Sequence, residues 1–488
     1  MLDKKIIYIA IVIYFITAYF SVGQNSPDEY YQILELAAYK LNLSSHYILT
    51  WEFDYQIRPA LQIWFAVMIY KLGNLIGTIN PFVIAFFLRL VSAFLSLCGV
   101  WLFIKAFTPS IKHNQSKKWF ILLSLFTWVI VYNSVRYSSE NIAEKFFLIG
   151  FSLLFLPSWN KKIFIQVLIG ILFGFAFITR FQMILAIIPT ILWLLFCNNF
   201  KFISTTNQKV INKCFYIYLT LGFGIAYGCG VITDKWFYGK WVISSWNYLY
   251  MNIFMGKAAS FGVEPWYFYT IVIAIIPYGL FYILSTIVAI YPTYKKFSNP
   301  TVWVVGSFLL GHLIVSHKEL RFLVPILCFM PLLISYSIDI LIDSNWFTNP
   351  KVQKIWQLSW FLNCFIVFCV AILPSGVNVY LCKFIYDKYT APAIFYSTSE
   401  GGNLLNFYKR SNMTIRYVKN VNDMQCNTSQ IKNQVCLFAI QCKELPLVEK
   451  LTVKSNLVYD NCPNWITYIN FNDWISRTGL FRIYETHS

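Results

Sequence analysis

Residues 311–329 read GHLIVSHKELRFLVPILCF, and four ionisable side chains interrupt this otherwise apolar stretch. They are His317, Lys318, Glu319 and Arg321, and the apolar run on each side of them looks able to cross a membrane. A plain short loop between two spans favours glycine, asparagine or serine. Ionisable groups at membrane ends are costly and usually functional, whereas the simpler alternative is a charged loop whose side chains reach into water.

The composition of the whole chain supports a membrane protein. The 488 residues are 58% hydrophobic and only 12% charged, whereas soluble domains carry about 25% charged residues. A soluble chain with so few charges could not cover its surface, so we predict an α-helical polytopic membrane protein. The net charge of +18 lies mostly in short loops between apolar runs, which is the pattern of membrane topology rather than of nucleic-acid binding.

About eleven apolar runs are near the length that crosses a hydrocarbon core of about 30 Å. Lysine-rich loops separate them, and all of these loops fall on the cytoplasmic side if residues 60–79 form a helix along the interface. A true span at 60–79 would instead place the later lysine loops outside. The predicted spans are 5–22, 81–107, 120–134, 144–157, 163–179, 182–197, 215–232, 267–290, 302–316, 322–342 and 357–375, and the predicted cytoplasmic loops are 108–119, 158–162, 198–213, 291–297 and 343–356.

This topology divides the chain into a transmembrane domain, residues 1–375, and an extracytoplasmic tail, residues 376–488. The tail is far more polar, and its stretches AIFYSTS, MTIRYVK and QVCLFAIQC predict a small α/β domain. It contains Cys426, Cys436, Cys442 and Cys462, which could form disulfides whose pairing the sequence leaves open. Residues 23–59, 135–143, 233–266 and 317–321 are predicted to lie on the same outer side.

The first outer segment contains SPDEYYQILELAAYKLN. Pro27 fixes a turn, so Asp28 and Glu29 lie at or near a helix N-terminus, where carboxylates are favourable. The simpler interpretation is that the pair only caps the helix. The functional interpretation is that one carboxylate is a general base and the other orients substrate or charge.

Two further outer stretches place charges among aromatic side chains. In TWEFDYQIRPALQ, Glu52, Asp54 and Arg58 form either a solvated edge with an internal ion pair or a binding wall for sugar rings and hydroxyls. In DKWFYGKWVISSWNYLYMNIF, an aromatic belt explains the tryptophans and tyrosines but does not explain Asp234 at the membrane end.

The HKELRF loop combines a guanidinium with an imidazole at the outer membrane surface, which suits the phosphate of a lipid. The chain has no P-loop, GxGxxG, HExxH or GxSxG motif, which argues against nucleotide hydrolysis, Rossmann cofactors and common hydrolases. A soluble nucleotide-sugar donor would need a cytoplasmic site, whereas the acid-rich loops lie outside. A donor on that side should be lipid-linked, such as a polyprenyl-phosphate sugar.

These stretches resemble the family-22 mannosyltransferases of the GT-C superfamily. The likeness rests on SPDEYYQILELAAY, TWEFDYQIRP, DKWFYGKW, EPWYFY and HKELRFLVP, which occur in the family's order over residues 26–325. The nearest likeness is to the enzymes that add the third mannose of glycosylphosphatidylinositol, and HKExRF is a specific motif. Two departures concern the acceptor: Glu264 lies where the family usually has a histidine, and HKELRF has leucine where many members have a second acid.

The resemblance implies a GT-C fold with interfacial helices in the first outer loop, and a polyprenyl- or dolichyl-phosphate mannose donor. It implies transfer with inversion to a hydroxyl of a glycan or glycolipid, which gives an α-mannoside. It assigns the catalytic acid of the first outer loop to Asp28, with Glu29 beside it. We expect His317, Lys318, Arg321 and Arg180 to hold the donor phosphate. The residues expected to bind substrate are Glu52, Asp54, Arg58, Asp234, Glu264, Trp266 and Glu319.

In the expected mechanism, Asp28 removes the proton of the acceptor hydroxyl as that oxygen attacks the anomeric carbon. The phosphate is a good leaving group, and Arg321, His317 and Arg180 stabilise its charge. Cationic side chains can do this, so we expect no metal and no cofactor. The partners are the lipid donor, the acceptor and membrane lipid, in a bacterial plasma membrane or in the endoplasmic reticulum.

Two other classes fit a polytopic chain. A transporter or flippase of lipid-linked glycans should show polar residues near the bilayer midplane, broken helices and pseudo-repeats, and no internal repeat is visible in the sequence. A structural membrane protein with a sensing tail would leave the PDEYY and HKELRF loops unexplained.

Overall fold

Helices form the first three quarters of the chain, and a small sheet follows them. The computed structural model describes residues 3–46, 49–77, 80–156, 159–196, 214–275, 299–376, 378–397, 405–418, 435–441, 456–460 and 481–487. The α-helices are α1 (Lys4–Phe20), α2 (Pro27–Glu29), α3 (Glu35–Lys40), α4 (Trp51–Asp54), α5 (Leu61–Leu75), α6 (Pro81–Phe107), α7 (Asn114–Phe126), α8 (Trp128–Ser134), α9 (Ser139–Leu154), α10 (Ile163–Thr179), α11 (Ile184–Phe196), α12 (Cys214–Tyr238), α13 (Ser244–Leu249), α14 (Phe268–Ile275), α15 (Pro300–Ile314), α16 (Met330–Asp343), α17 (Pro350–Ile372) and α18 (Asn378–Lys388).

Shorter helical turns connect several of these helices. The π-helical turns are Tyr30–Leu34 and Tyr250–Phe254, and the 3-10 segments are Thr108–Ser110, Phe181–Met183, Lys257–Phe261, Leu320–Phe329 and Asn406–Tyr408. The first of these turns joins α2 to α3, so the segment Pro27–Lys40 is helical throughout.

Each predicted span contains helix, although several end in short non-helical stretches and one is interrupted. Among the described residues, four helical segments are long and apolar enough to cross a membrane by length and composition: Pro81–Ser110, Cys214–Tyr238, Leu320–Asp343 and Pro350–Ile372. Shorter apolar helices occupy Ile163–Thr179, Phe181–Phe196 and Pro300–Ile314. These helices fit a multi-pass membrane protein, and the number of about eleven spans stays a prediction. Residues 276–290 of one span and the loops 198–213 and 291–297 lie outside the described residues.

The predicted span 120–134 is broken into α7 and α8. Thr127 between them has an extended backbone, with φ −69° and ψ 129°. Asn363 of α17 meets the break: its side chain donates to the carbonyl of Phe126 at 2.7 Å and accepts the amide of Trp128 at 2.9 Å. An amide side chain thus satisfies main-chain groups that a continuous helix would have paired.

Two of the other boundaries that differ from the prediction bear on the site. Helix α12 continues to Tyr238 rather than ending at 232, so Asp234 and Lys235 belong to the helix instead of the following loop. The predicted span 322–342 begins as the 3-10 segment Leu320–Phe329 and becomes α-helical only at Met330. Pro325 lies inside that segment, and a proline interferes with the hydrogen bonding of a continuous α-helix.

Helices α10 and α12 approach each other closely because of two glycines. A side chain at Gly170 would overlap the carbonyl of Leu219, and one at Gly222 would overlap the carbonyl of Val167. This contact sets the distance between α10 and α12, and Arg180 directly follows the C-terminal end of α10.

The tail contains a five-stranded sheet. Its strands are β1 (Ala393–Ser397), β2 (Met413–Tyr417), β3 (Val435–Gln441), β4 (Asn456–Asp460) and β5 (Phe481–His487), in the order β2-β1-β3-β5-β4. Strand β1 is parallel to β2 and β3, and β5 is antiparallel to β3 and β4. The strands predicted from the three tail stretches are confirmed, and with α18 they form a small α/β unit. The boundary at 375/376 and its extracytoplasmic side stay predictions.

Among the described residues of the tail, Cys436 on β3 is disulfide-bonded. The other three cysteines named above, Cys426, Cys442 and Cys462, lie outside the described residues.

The tail contacts the first outer segment directly. The buried carboxylate of Glu35 accepts from the side chain of Asn406 at 2.9 Å and from the hydroxyl of Tyr30 at 2.7 Å. That same hydroxyl accepts the amide of Phe407 at 3.0 Å. The 3-10 turn of the tail therefore supports the helical segment that begins at Pro27 and contains Asp28.

Candidate active site

A cavity of about 820 Å³ lies among the segments predicted to be on the outer side. Its wall combines carboxylates and cations from segments that are far apart in the sequence. Nine predicted site residues line it: Asp28, Glu52, Arg58, Arg180, Glu264, His317, Lys318, Glu319 and Arg321.

Asp28 reaches this cavity from the first turn of a helix. Pro27 is the first residue of α2, as predicted, and its fixed φ suits that position. The Asp28 side chain is 33% exposed, so it is open to the cavity. Both of its polar contacts among the described residues end on Oδ2: the ion pair with Arg321 at 2.6 Å and a hydrogen bond from Gln32. Oδ1 therefore retains its capacity to accept a proton.

Arg321 joins two carboxylates with one guanidinium. Its Nε and Nη2 donate to both oxygens of Glu319, at 2.5 and 2.7 Å. Its Nη1 contacts Oδ2 of Asp28 at 2.6 Å and donates to the hydroxyl of Ser26 at 3.2 Å. This planar fork fixes the HKELRF loop against the first outer segment.

Lys318 is a cavity cation of a different kind. Its Nζ donates to the main-chain carbonyls of Val315 at 2.6 Å and Glu264 at 3.1 Å. No carboxylate of the described residues forms an ion pair with it, and an ammonium has three donors. One donor and an uncompensated positive charge are thus available to an anion. The neighbouring His317 is oriented by the carbonyl of Gly262, 3.0 Å from its Nδ1.

Glu319 is held as a carboxylate by its neighbours. Burial alone would raise the pKa of this group, but hydrogen bonds and charge from Arg321 and His317 lower the pKa below its ordinary value. The His317 Nε2 lies 3.0 Å from Oε1 of Glu319. Glu319 therefore stays ionised at neutral pH and compensates part of the charge of Arg321.

Glu52 and Arg58 form a second ion pair on the cavity wall. The Arg58 guanidinium donates to both oxygens of Glu52, through Nε at 2.8 Å and through Nη2. Burial alone would lower the pKa of Arg58, but the charge of Glu52 and its hydrogen bonds raise the pKa overall, so Arg58 stays charged. Gln32 connects this pair to Asp28, since its Nε2 donates to Asp28 and lies 3.4 Å from Glu52.

Arg180 and Glu140 form a buried ion pair at the charged end of the cavity. Arg180 is 5% exposed and Glu140 is 3% exposed. Their Nη2 and Oε1 atoms are 3.0 Å apart, and the same Oε1 lies 4.0 Å from Nη1 of Arg321. Ser139 donates to Glu140 at 3.2 Å and accepts from Arg180 at 3.2 Å.

Two predicted residues of the first outer segment do not line the cavity. Glu29 is buried, and its carboxylate accepts the amides of Asn25 at 2.8 Å and Tyr137 at 3.2 Å. Its carboxylate therefore connects the residues before α2 to Tyr137, and its expected catalytic role stays a prediction. Asp54 is exposed and lies 3.8 Å from the imidazole of His46.

Two predicted residues of the aromatic segment are also outside the cavity wall. Asp234 is buried and accepts the amides of Ala60 at 2.8 Å and Ser244 at 3.3 Å, so it joins α12 to the loops on either side. Trp266 is 69% exposed and does not line the cavity.

Three polar residues belong to the site although they were not among the predicted site residues. Gln32 follows Asp28 by four positions, and that helical spacing was a signal that could have identified it. Glu140 stood among the outer carboxylates, but nothing in the sequence indicates Arg180 as its partner. His312 lines the cavity from α15, and its Nδ1 donates to the carbonyl of Phe308 at 2.9 Å.

Metal ligation has no support among the described residues. They contain no group of three or more histidine, cysteine, aspartate or glutamate side chains arranged to hold an ion. The expectation that no metal takes part stays a prediction.

The fold resembles the crystal structure of ArnT from Cupriavidus metallidurans in the apo state, with a TM-score of 0.54 and 11% identity, over 99% of this chain and 97% of that one. This likeness concerns the fold alone.

The sequence identifies the family. Residues 6–415 match the Alg9-like mannosyltransferase family, and the chain belongs to it. It is 26% identical to GPI alpha-1,2-mannosyltransferase 3 of Bos taurus over 321 residues, which are 64% of this chain and 55% of that protein. It is 29% identical to GPI mannosyltransferase 3 of Candida albicans over 301 residues, which are 61% of this chain and 56% of that protein. The chain thus spans about half the length of the curated relatives it matches.

Proposed function

We propose that this protein transfers a mannosyl residue from a polyprenyl- or dolichyl-phosphate donor to a hydroxyl of a glycan or glycolipid, with inversion at the anomeric carbon. Membership of the Alg9-like mannosyltransferase family supports the sugar and the reaction class. The observation that carries the proposal is Asp28, a carboxylate at the cavity that is held through Oδ2 and has Oδ1 available.

Asp28 acts as the general base. The proton of the acceptor hydroxyl goes to Oδ1 while the hydroxyl oxygen forms a bond to the anomeric carbon. The bond between that carbon and the phosphate oxygen breaks, and the polyprenyl phosphate leaves with the electron pair. The ion pair with Arg321 fixes the direction of the Asp28 carboxylate, which makes the attacking geometry reproducible.

The donor phosphate binds at the HKELRF end of the cavity. Of the four residues expected to hold it, Arg321 and Arg180 already have carboxylate partners. Lys318 has a donor and an uncompensated charge, so it is the main anchor of the phosphate, with His317 beside it. The charge that develops on the leaving phosphate is stabilised there.

The acceptor is a mannose-containing glycolipid of the glycosylphosphatidylinositol type or a related cell-surface glycan. The names of the relatives support this class, and two features of the wall suit a sugar: the Glu52–Arg58 pair, and Tyr248, which lies under the Arg58 guanidinium at 5.8 Å. The reaction takes place on the outer face of a bacterial plasma membrane or of the endoplasmic reticulum membrane.

The test uses the purified protein in lipid nanodiscs with radiolabelled polyprenyl-phosphate mannose and a panel of mannosylated acceptors. Wild type is compared with Asp28→Asn and with Asp387→Asn, a control at an exposed aspartate of α18 that does not line the cavity. We expect transfer by wild type and by Asp387→Asn, and loss of transfer in Asp28→Asn.

Each other outcome has a distinct meaning. Transfer that survives in Asp28→Asn would keep the enzyme class and overturn the assignment of the base. No transfer and no donor hydrolysis by wild type, with any polyprenyl-phosphate sugar, would overturn the proposed function and favour a transporter of lipid-linked glycans.

A further inference from the structure

Glu140 occupies an unusual place, because it touches the charged machinery of the cavity without lining the cavity itself. It lies in the first turn of α9, after the N-cap Ser138. A carboxylate in a first helical turn is favourable, and that alone would explain an exposed glutamate. It does not explain a glutamate that is 3% exposed and faces two arginines.

The contacts form a continuous series from Glu140 to the proposed base. Arg180 lies 3.0 Å from Oε1 of Glu140, and Nη1 of Arg321 lies 4.0 Å from that same oxygen. The same Nη1 contacts Asp28 at 2.6 Å. Glu140 is thus the shared counter-charge of both arginines, and only one of them contacts Asp28.

Arg180 is the cation that most needs this partner. It is 5% exposed, and a buried charge that loses its partner is strongly unfavourable. Without Glu140, the other carboxylates that line the same cavity are the groups to which Arg180 could turn, and Asp28 is among them. A second guanidinium on Asp28 would occupy the oxygen that receives the proton and would weaken the base.

We propose that Glu140 is a positioning residue that holds Arg180 away from Asp28, so that Arg321 is the only cation on the base and Oδ1 stays open to the acceptor. This inference rests on the proposed function of Asp28. It assigns to Glu140 an effect on the rate of transfer but no direct contact with either substrate.

The test measures kcat and the donor KM of monodisperse protein in nanodiscs for four proteins: wild type, Glu140→Gln, Arg180→Gln and the double variant. We expect Glu140→Gln to lower kcat by at least about tenfold, because small misplacements of a reacting group are costly, with the donor KM changed by less than about twofold. In the Arg180→Gln background, the second substitution should have no further effect on kcat.

The matched control is Glu144→Gln, one turn further along α9. Glu144 is also buried, at 5% exposure, but its recorded side-chain contact is the thiol of Cys328 rather than a cavity arginine. We expect this substitution to lower thermal stability. Its effect on kcat should be the same with and without Arg180→Gln, so that the two effects are independent. If Glu140→Gln does not give folded protein, Glu140→Asp replaces it, since the shorter carboxylate keeps the charge and should lower kcat less, again only when Arg180 is present.

The outcomes separate the two proposals. A wild type without transfer would overturn the proposed function. A wild type with transfer, together with a Glu140 variant of unchanged kcat or with losses that simply multiply in the double variant, would overturn the positioning role and leave the function in place.

Discussion

Arg321→Lys is the substitution whose effect the geometry defines best. Lysine keeps the positive charge but has a single nitrogen at its end, so it cannot span Glu319 and Asp28 as the arginine fork does. We expect the lysine to stay with one carboxylate and to lose at least two charge-assisted hydrogen bonds. Asp28 would then lose the contact that fixes it.

The magnitude follows from the contacts that are lost. A hydrogen bond to a charged group contributes about 1.5–3 kcal/mol. The lower value applies because the side chains of Asp28 and Glu319 are 33% and 34% exposed, so water screens them. Two such bonds amount to about 3 kcal/mol, and if the transition state loses all of it, kcat falls by about 150-fold, at about 1.4 kcal/mol per factor of ten.

The assay is the initial rate of mannose transfer at saturating donor, for wild type and Arg321→Lys in nanodiscs of the same lipid. Arg416→Lys is the matched control, because Arg416 is exposed on β2 of the tail and does not line the cavity. Equal monodispersity and similar thermal midpoints would show that folding is not the cause. An Arg321→Lys protein whose kcat stays within about threefold of wild type would refute the argument that one guanidinium orients the base.

Two further predictions concern the same loop. Lys318→Met should raise the donor KM by about tenfold or more, because a charged contact to the phosphate is lost. The control Lys240→Met, at an exposed lysine, should leave the donor KM unchanged. Equal donor KM values for the two variants would show that Lys318 does not bind the donor. The pKa of Glu319 is lowered in the folded protein. Its ion pair therefore stabilises the fold above the ordinary carboxyl pKa of about 4, and this stabilisation is lost as the pH falls through the folded-state pKa. The difference in thermal midpoint between wild type and Glu319→Gln should therefore be largest near pH 7 and shrink below about pH 4, and a difference that grows in acid would contradict this sign.

The helices were the most predictable part of the structure. Two predicted spans, 81–107 and 163–179, have the same bounds in the structure as in the prediction. An apolar run of this length predicts a helix by itself, because a helix pairs its main-chain groups within the segment and needs no distant partner. The break at Thr127 was not predictable in this way, since it depends on Asn363, which is distant in the sequence.

The sequence predicted some of the residues that form the site, but it did not predict which of them form ion pairs with each other. Rare charges at the outer ends of apolar runs indicated a common site, and Asp28 and Arg321 do meet there. Which carboxylate each cation takes depends on how the helices pack. Asp234 illustrates the limit: its position at a helix end resembled that of a substrate ligand, whereas its carboxylate accepts two main-chain amides.

The pairing itself explains how so many charges can share one cavity at a membrane end. Arg58 forms an ion pair with Glu52, and Arg180 forms one with Glu140. Arg321 forms ion pairs with both Glu319 and Asp28. Each pair removes a desolvation penalty that an isolated charge would carry. Beyond these pairs, Asp28 keeps one oxygen and Lys318 keeps one donor on the cavity wall, which are groups that a proton acceptor and a phosphate anchor require. If every charge of the site were paired, no charged group would remain for the proton or the donor phosphate. If none were paired, the buried charges would destabilise the fold. The proposed transfer therefore depends on a site in which some charges are paired and others are not.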